Sequence, residues 1–355
     1  IKLMAIIDKP SDYFNTKLYT GNASTQTISD VNFQPNLTWI KNRNGVRNHM
    51  LFDSVRGALY RLQSNTTAAS ASTANTLTSW NSDGFALGSE NDTNGTGATF
   101  ASWNWKAGTS VSGTSTGSGT GKAYSGSVNT TSGFSIIKYL GNGSSGHTIP
   151  HHLSAVPQFI VVKSLDRGTN WITYQAPLGA GKFLRLNQTN AESTSSSRWN
   201  DTTPTSTVFT VGNDGDLNNN DENYIAYIIA NVQGYSKIGS YTGNGNADGP
   251  FIYTGFKPAF TLIKRTDSAT GGSWILFDNK RGTNVINPVD VVMAASNNAS
   301  EADWGTAYDC DYLSNGFKWR MDGTAGYNNT SGATYIYMAF AEAPLVGTNN
   351  VPCTA

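Results

Sequence analysis

One phrase recurs three times, and its spacing limits the possible folds more than any other feature of the chain. Pro35, Pro157 and Pro258 each open an apolar run that reaches a lysine six residues on, at Lys41, Lys163 and Lys264. A polar loop follows, then a second run: His49-Met50-Leu51-Phe52, Trp171-Ile172-Thr173-Tyr174 and Trp274-Ile275-Leu276-Phe277. Each second run reaches a glycine eight residues after its start, at Gly57, Gly179 and Gly282. Proline at the mouth of a β-branched and aromatic run, a polar loop and another such run is the grammar of a β-hairpin. Two fixed spacings at three places identify a threefold internal repeat.

Other landmarks keep the same order. A Tyr-x-Gly-Asn turn opens each unit, at Tyr19, Tyr139 and Tyr241, so unit starts lie 120 and 102 residues apart. Asn65, Asn187 and Asn297 follow the hairpins, then Phe85, Phe209 and Phe317 within short strands. An aromatic run closes each unit, over Phe100 to Ala107, Tyr224 to Ala230 and Tyr335 to Ala341. The second of these is apolar at every position instead of at alternate ones, which predicts a central strand covered on both faces. In the third unit the runs predict eight strands: 236–241, 251–253, 259–265, 273–278, 289–293, 310–313, 316–320 and 333–341. That many antiparallel strands in roughly a hundred residues is the size of a β-sandwich, whereas a propeller blade needs four strands.

The expected fold is therefore all-β, with three tandem antiparallel β-sandwich repeats over 17–107, 134–234 and 235–345. An extended arm (1–16) precedes them, with Met4 read as the natural start, and a short tail (346–355) follows. The arm is expected to dock on a neighbouring subunit or to form a local edge. Residues 108–133, rich in Gly, Ser and Thr and poor in large apolar side chains, read as a flexible linker and a domain boundary. Only 14% of residues are charged, and 24 basic residues balance 24 acidic ones. That balance argues against a nucleic-acid partner, which needs a basic face. No apolar stretch reaches the ~18 residues of a membrane span, so no membrane insertion is expected. The two cysteines, Cys310 and Cys353, are too few for a disulfide framework or a zinc cluster.

The phrases DKPSDYFNT, WIKNR, SVRG, SDGFALG and FASWNWKAG in the first unit, with GSYTGNGNADGPFIYTGFKPAFTLIKR and TYIYMAFAEAPL in the third, resemble a family of tailed-bacteriophage virion proteins. The family is common in marine and cyanobacterial phages. The resemblance spans nearly the whole chain and implies lectin-like (concanavalin-like) jelly-roll domains in a structural or tail-fibre-like protein on the phage particle. The departures are His49 at the head of its hairpin run and the absence of an Asp/Arg-Gly turn from the second unit. The family brings no catalytic residues with it.

The residues themselves offer few chemical groupings. Glycoside hydrolysis needs two facing carboxylates, and the five glutamates (90, 192, 222, 301, 342) form no alternating array. Asp53 with Arg56-Gly57, and Asp278 with Arg281-Gly282, read as braced hairpin turns. Gln175 and Leu178 stand there in the second unit, so any ligand clamp would be dispensable. Asp214, Asp216, Asn218 and Asn220 alternate like a calcium loop but lack its glycine and distal glutamate. His147, His151 and His152 would need a further ligand to hold a metal, and no cofactor is implied. Trp80, Trp199 and Trp304 lie in polar stretches after each hairpin and are the candidates for stacking on a sugar. The leading expectation is a non-enzymatic virion structural protein, tail-fibre or adhesin-like or a capsid decoration. It would act through contacts with other virion proteins and copies of itself, with an arm as anchor. A carbohydrate-binding module for a host surface glycan and a polysaccharide-degrading enzyme are the alternatives.

Overall fold

The computed structural model describes residues 6–282, 287–303, 305–323 and 327–346. Trp304, Cys353 and Met4 lie outside them. Among the described residues no helix exceeds four residues, and the rest of the regular structure is antiparallel strand. All eight strands expected in the third unit are present, two with the expected bounds (Phe251–Tyr253 and Cys310–Leu313). A further short strand, Ala302–Asp303, was not expected.

The three units share one strand order. In each, the opening strand pairs with the closing strand, which pairs with the Pro-led strand, which pairs with the second hairpin strand. In the first unit these are Phe14–Thr20, Thr99–Trp105, Leu37–Asn42 and Met50–Asp53. In the second they are Phe134–Leu140, Asn223–Ala230, Pro157–Ser164 and Ile172–Gln175. In the third they are Ser236–Thr242, Thr334–Pro344, Phe256–Arg265 and Ile275–Asp278. A three-stranded sheet accompanies each. Pro157 and Pro258 sit at register shifts of their ladders, where a missing N–H is tolerated.

The closing strands are central and buried on both faces, as their composition requires. One set of alternate side chains fills the unit's own interior: Phe100 in the first, Tyr224, Ala226 and Ile228 in the second, Tyr335, Tyr337 and Ala339 in the third. The other set enters a fourth core common to all units, carrying Trp103 and Trp105, Ile225 and Tyr227, Met338 and Phe340. Each unit thus has an interior of its own, and a further core lies between the units. The three large sheets turn their outer faces on one another to form it, because a strand that is apolar on both sides leaves half its side chains unburied within a single sandwich.

One further expectation is corrected. Residues 108–133 are not a flexible linker: Thr109–Thr114 pairs with Ala123–Asn129, which extends the second unit's large sheet beside its opening strand. Thr116–Gly117 caps the edge of its small sheet. A segment of small residues needs no core of its own when an existing edge supplies the hydrogen bonds, and threonine suits extended backbone. Of the two readings of the arm, the local edge holds for its described residues: Phe14–Thr20 is the edge strand of the first unit's large sheet. Pro10–Asp12 form a single 3₁₀ turn, Ile7 enters the shared core, and Phe14 stacks on Phe340 of the third unit at 5.1 Å.

Candidate functional sites and the bonds between units

The Tyr-x-Gly-Asn turns are locks built around three buried asparagines. The amide oxygens of Asn94, Asn218 and Asn329 accept the backbone N–H of Asn22, Asn142 and Asn244 at 2.9–3.0 Å. Asn218 Nδ2 also donates to the Ser144 and Gly212 carbonyls, as Asn94 does to Ser24 and Gly88 and Asn329 to Asn246 and Met321. Tyr19, Tyr139 and Tyr241 stack on Phe100, Tyr224 and Tyr335 and donate their hydroxyls to the carbonyls of Thr93, Leu217 and Asn328. The glycine is required by close approach: a Cβ on Gly21, Gly141 or Gly243 would fall 2.2–2.3 Å from a facing carbonyl oxygen.

The Asp/Arg turns brace their hairpins and also reach across units. Asp53 and Asp278 accept Arg56 Nε at 2.5 Å and Arg281 Nε at 2.6 Å, with both pairs buried. The Oδ2 that holds the arginine also serves another unit, while Oδ1 accepts the N–H groups of its own turn. Tyr227 donates its hydroxyl to Asp53 at 2.7 Å, and Trp103 its indole N–H to Asp278 at 2.9 Å. Burial alone would raise the Asp278 carboxyl; the Arg281 guanidinium outweighs it and holds the pKa below the usual range. Trp103, Tyr227 and Met338 occupy one position of the closing strand, opposite Trp39, Val161 and Leu262. Met338 has no donor, and the unit it would serve carries Gln175 in place of the acid. Acid and donor are thus present together or absent together, a signal that comparison of closing strands with turns would have revealed in the sequence.

Two more sets of bonds run around the molecule in the same cyclic manner. His49 Nε2 meets the Ala294 carbonyl at 3.1 Å, Trp171 Nε1 donates to Gln63 at 2.9 Å, and Trp274 Nε1 to Arg185 at 2.9 Å. His49 Nδ1 accepts from Trp39, so the Nε2 proton is the one donated. Burial holds its pKa well below the ordinary imidazole value. Along the backbone, Ser70 N–H donates to Leu165, Glu192 to Thr266 and Glu301 to Arg43. Each acceptor stands two residues after a buried lysine. Those lysines, 41, 163 and 264, turn their ammonium groups onto the carbonyls of Asn42, Ser164 and Arg265 at the ends of their strands, and burial pushes their pKa values down to about 8, 8 and 7.

The residues expected to meet ligands are placed otherwise. Trp199 is 1% exposed and packs on Phe209 and Tyr174 in the second unit's interior. Trp80 is half-buried against the first unit's interior. The Trp199 ring is therefore no free platform. Asp214 and Asp216 both pair with Arg198, Asn218 is the buried lock, and Asn220 bonds Asp221 at the surface, so the four do not converge as a calcium loop. The three histidines part company as well: His151 meets Thr205, and His152 meets Tyr124. Among the described residues no cluster of three or more His, Cys, Asp or Glu is placed to hold a metal.

One grouping has the outline of a catalytic triad that the sequence did not suggest. Ser115 Oγ lies 2.6 Å from His147 Nε2, and His147 Nδ1 lies 2.9 Å from Asn218 Oδ1. Ser115 and His147 are buried, and Ser115 Oγ accepts the Lys122 N–H. A nucleophile must be open to substrate; here the hydroxyl fastens the inserted hairpin to the small sheet.

No curated protein matches the chain. A family model matches residues 9–344, which covers all three units and the bonds that join them. The chain belongs to the family described as a domain of unknown function, DUF7483.

Proposed function

We propose that this protein is a non-enzymatic structural component of a tailed-bacteriophage particle, a tail-fibre or adhesin-like element or a capsid decoration. The phage assignment rests on the resemblance of its phrases to virion proteins. The mechanical part rests on one observation: three sandwiches share a core and are tied in a closed ring by cyclic hydrogen bonds. Groups that could do chemistry, such as the Asp/Arg pairs, the lysines and the Ser115–His147–Asn218 chain, are spent as braces. Such a body is suited to display and contact without internal rearrangement, since interiors packed in this way transmit load instead of yielding.

Mass spectrometry of purified particles, followed by antibody labelling in electron micrographs, tests the proposal. Peptides of this chain at fixed stoichiometry in the particle, and label at the head surface or the tail, are expected. A chain found only in infected-cell lysate, never in particles, overturns it.

A further inference from the structure

We propose that the seam between the first and second units is a binding site for a neutral pyranose sugar. This site goes beyond the structural reading and holds for a head or a tail protein alike. A cleft of about 300 Å³ opens there. Clefts of this size at the junction of two folded bodies are the usual place for small-molecule ligands. Tyr60 of the first unit stands at its mouth, 46% exposed. Lys138, Asp166 and Asn223 of the second unit face it across the seam. The floor is held still: Ser70 N–H bonds the Leu165 carbonyl at 2.9 Å, and Arg56, fixed by Asp53, donates to the Tyr60 carbonyl at 2.9 Å.

The polar groups at this seam are unspent. Asp166 receives the backbone and side-chain N–H groups of Asn223 on one oxygen, which leaves the other open. The Lys138 ammonium and the Tyr60 hydroxyl have no partner among the described residues. An exposed aromatic ring offers a face for the C–H side of a pyranose, while a carboxylate oxygen and an ammonium take its vicinal hydroxyls. Charges in the cleft balance, with Arg56 matched by Asp53 and Lys138 facing Asp166, so a neutral sugar fits better than an acidic one. At the next seam the corresponding positions are occupied differently. Lys182 stands where Tyr60 does and pairs with Glu192, and Asp267 stands where Asp166 does and pairs with Arg265. The aromatic and the open charges of the first seam are thus absent from the second.

Saturation-transfer NMR and calorimetry on the full chain test the site. The probes are neutral glucose, galactose and mannose oligosaccharides, with uronic-acid oligosaccharides as the charged arm. Saturable binding of a neutral oligosaccharide is expected, with a dissociation constant on the order of 1 mM for so small a contact. Tyr60→Ala and Lys138→Ala should each weaken it by about tenfold or more, and Tyr60→Phe should retain it. The unfolding midpoint of each variant should stay unchanged, since Tyr60 is exposed and Lys138 makes no bond. No saturable binding across the panel, binding confined to the uronic acids, or full affinity in both alanine variants overturns the proposal. None of these results bears on whether the chain is found in particles.

Discussion

Single side chains carry most of the specificity of this fold, and many of them are polar. Asn218 satisfies an N–H of Asn142 and the carbonyls of Ser144 and Gly212 from a fully buried position. Asn218→Ala leaves those groups without partners, at about 1–3 kcal/mol each. A loss of more than about 3 kcal/mol in urea unfolding is expected, and a loss below about 1 kcal/mol would show that the turn does not depend on the lock. The buried bases set the pH response. Burial lowers His151 to about 4, and lowers His49 and His147 in the same direction. A base whose folded pKa is depressed binds fewer protons folded than unfolded between the two values, so stability rises with pH across that window. The histidine contribution should therefore be complete above about pH 6.5 and be lost towards pH 4, by roughly 3 kcal/mol for His151 alone. The same sign applies to Lys41, Lys163 and Lys264, whose values of about 8, 8 and 7 make stability rise again from pH 7 towards 10. Unfolding midpoints measured from pH 4 to 10 check both limbs; a midpoint that is flat from pH 6.5 to 4 contradicts the first.

At the scale of elements, the inserted hairpin of 109–129 protects a sheet edge. The opening strands of the first and third units are edges of their large sheets, while Phe134–Leu140 is covered by Ala123–Asn129. Uncovered edges invite pairing with other chains. Joining residue 107 to residue 134 through a short Gly-Ser loop should leave the rest of the chain folded, because most of the hairpin's side chains are exposed. The alternate amides of 134–140 that face Ala123–Asn129 should lose their protection in hydrogen-exchange mass spectrometry while those facing Asn223–Ala230 keep it, and the protein should self-associate more. Protection unchanged from the full chain would mean that the hairpin contributes nothing to that edge.

The whole molecule is three parts built around one shared core. A unit cut out at 235–345 would expose Phe260, Leu262, Trp274, Leu276, Met338 and Phe340, which now lie in the shared core. At about 1.5–3 kcal/mol for each buried side chain of this type, the lost burial exceeds what a domain of this size can spare. Expressed alone, the unit should be unfolded or aggregated by circular dichroism and gel filtration, and the full chain should melt in a single calorimetric transition. A folded, monomeric isolated unit, or three separate transitions, would show that the shared core is not essential.

What the amino-acid sequence determined by itself was local and periodic. The Pro-to-Lys spacing located the hairpins, the eight strands of the third unit were readable from their apolar runs, and the doubly apolar run at Tyr224 to Ala230 marked a central strand. These features are set within a few residues by backbone preference and side-chain alternation, so no distant partner is needed to read them. Tertiary structure decided where the second face of each central strand goes, why Asp53 and Asp278 are kept while Gln175 is tolerated, and that residues 108–133 are strand. It also buried Trp199 and left Tyr60, Phe251 and Tyr253 exposed. Each of these depends on groups more than a hundred residues apart or on an edge that another segment supplies, and a run of small or polar residues carries no local sign of the neighbour that will complete it.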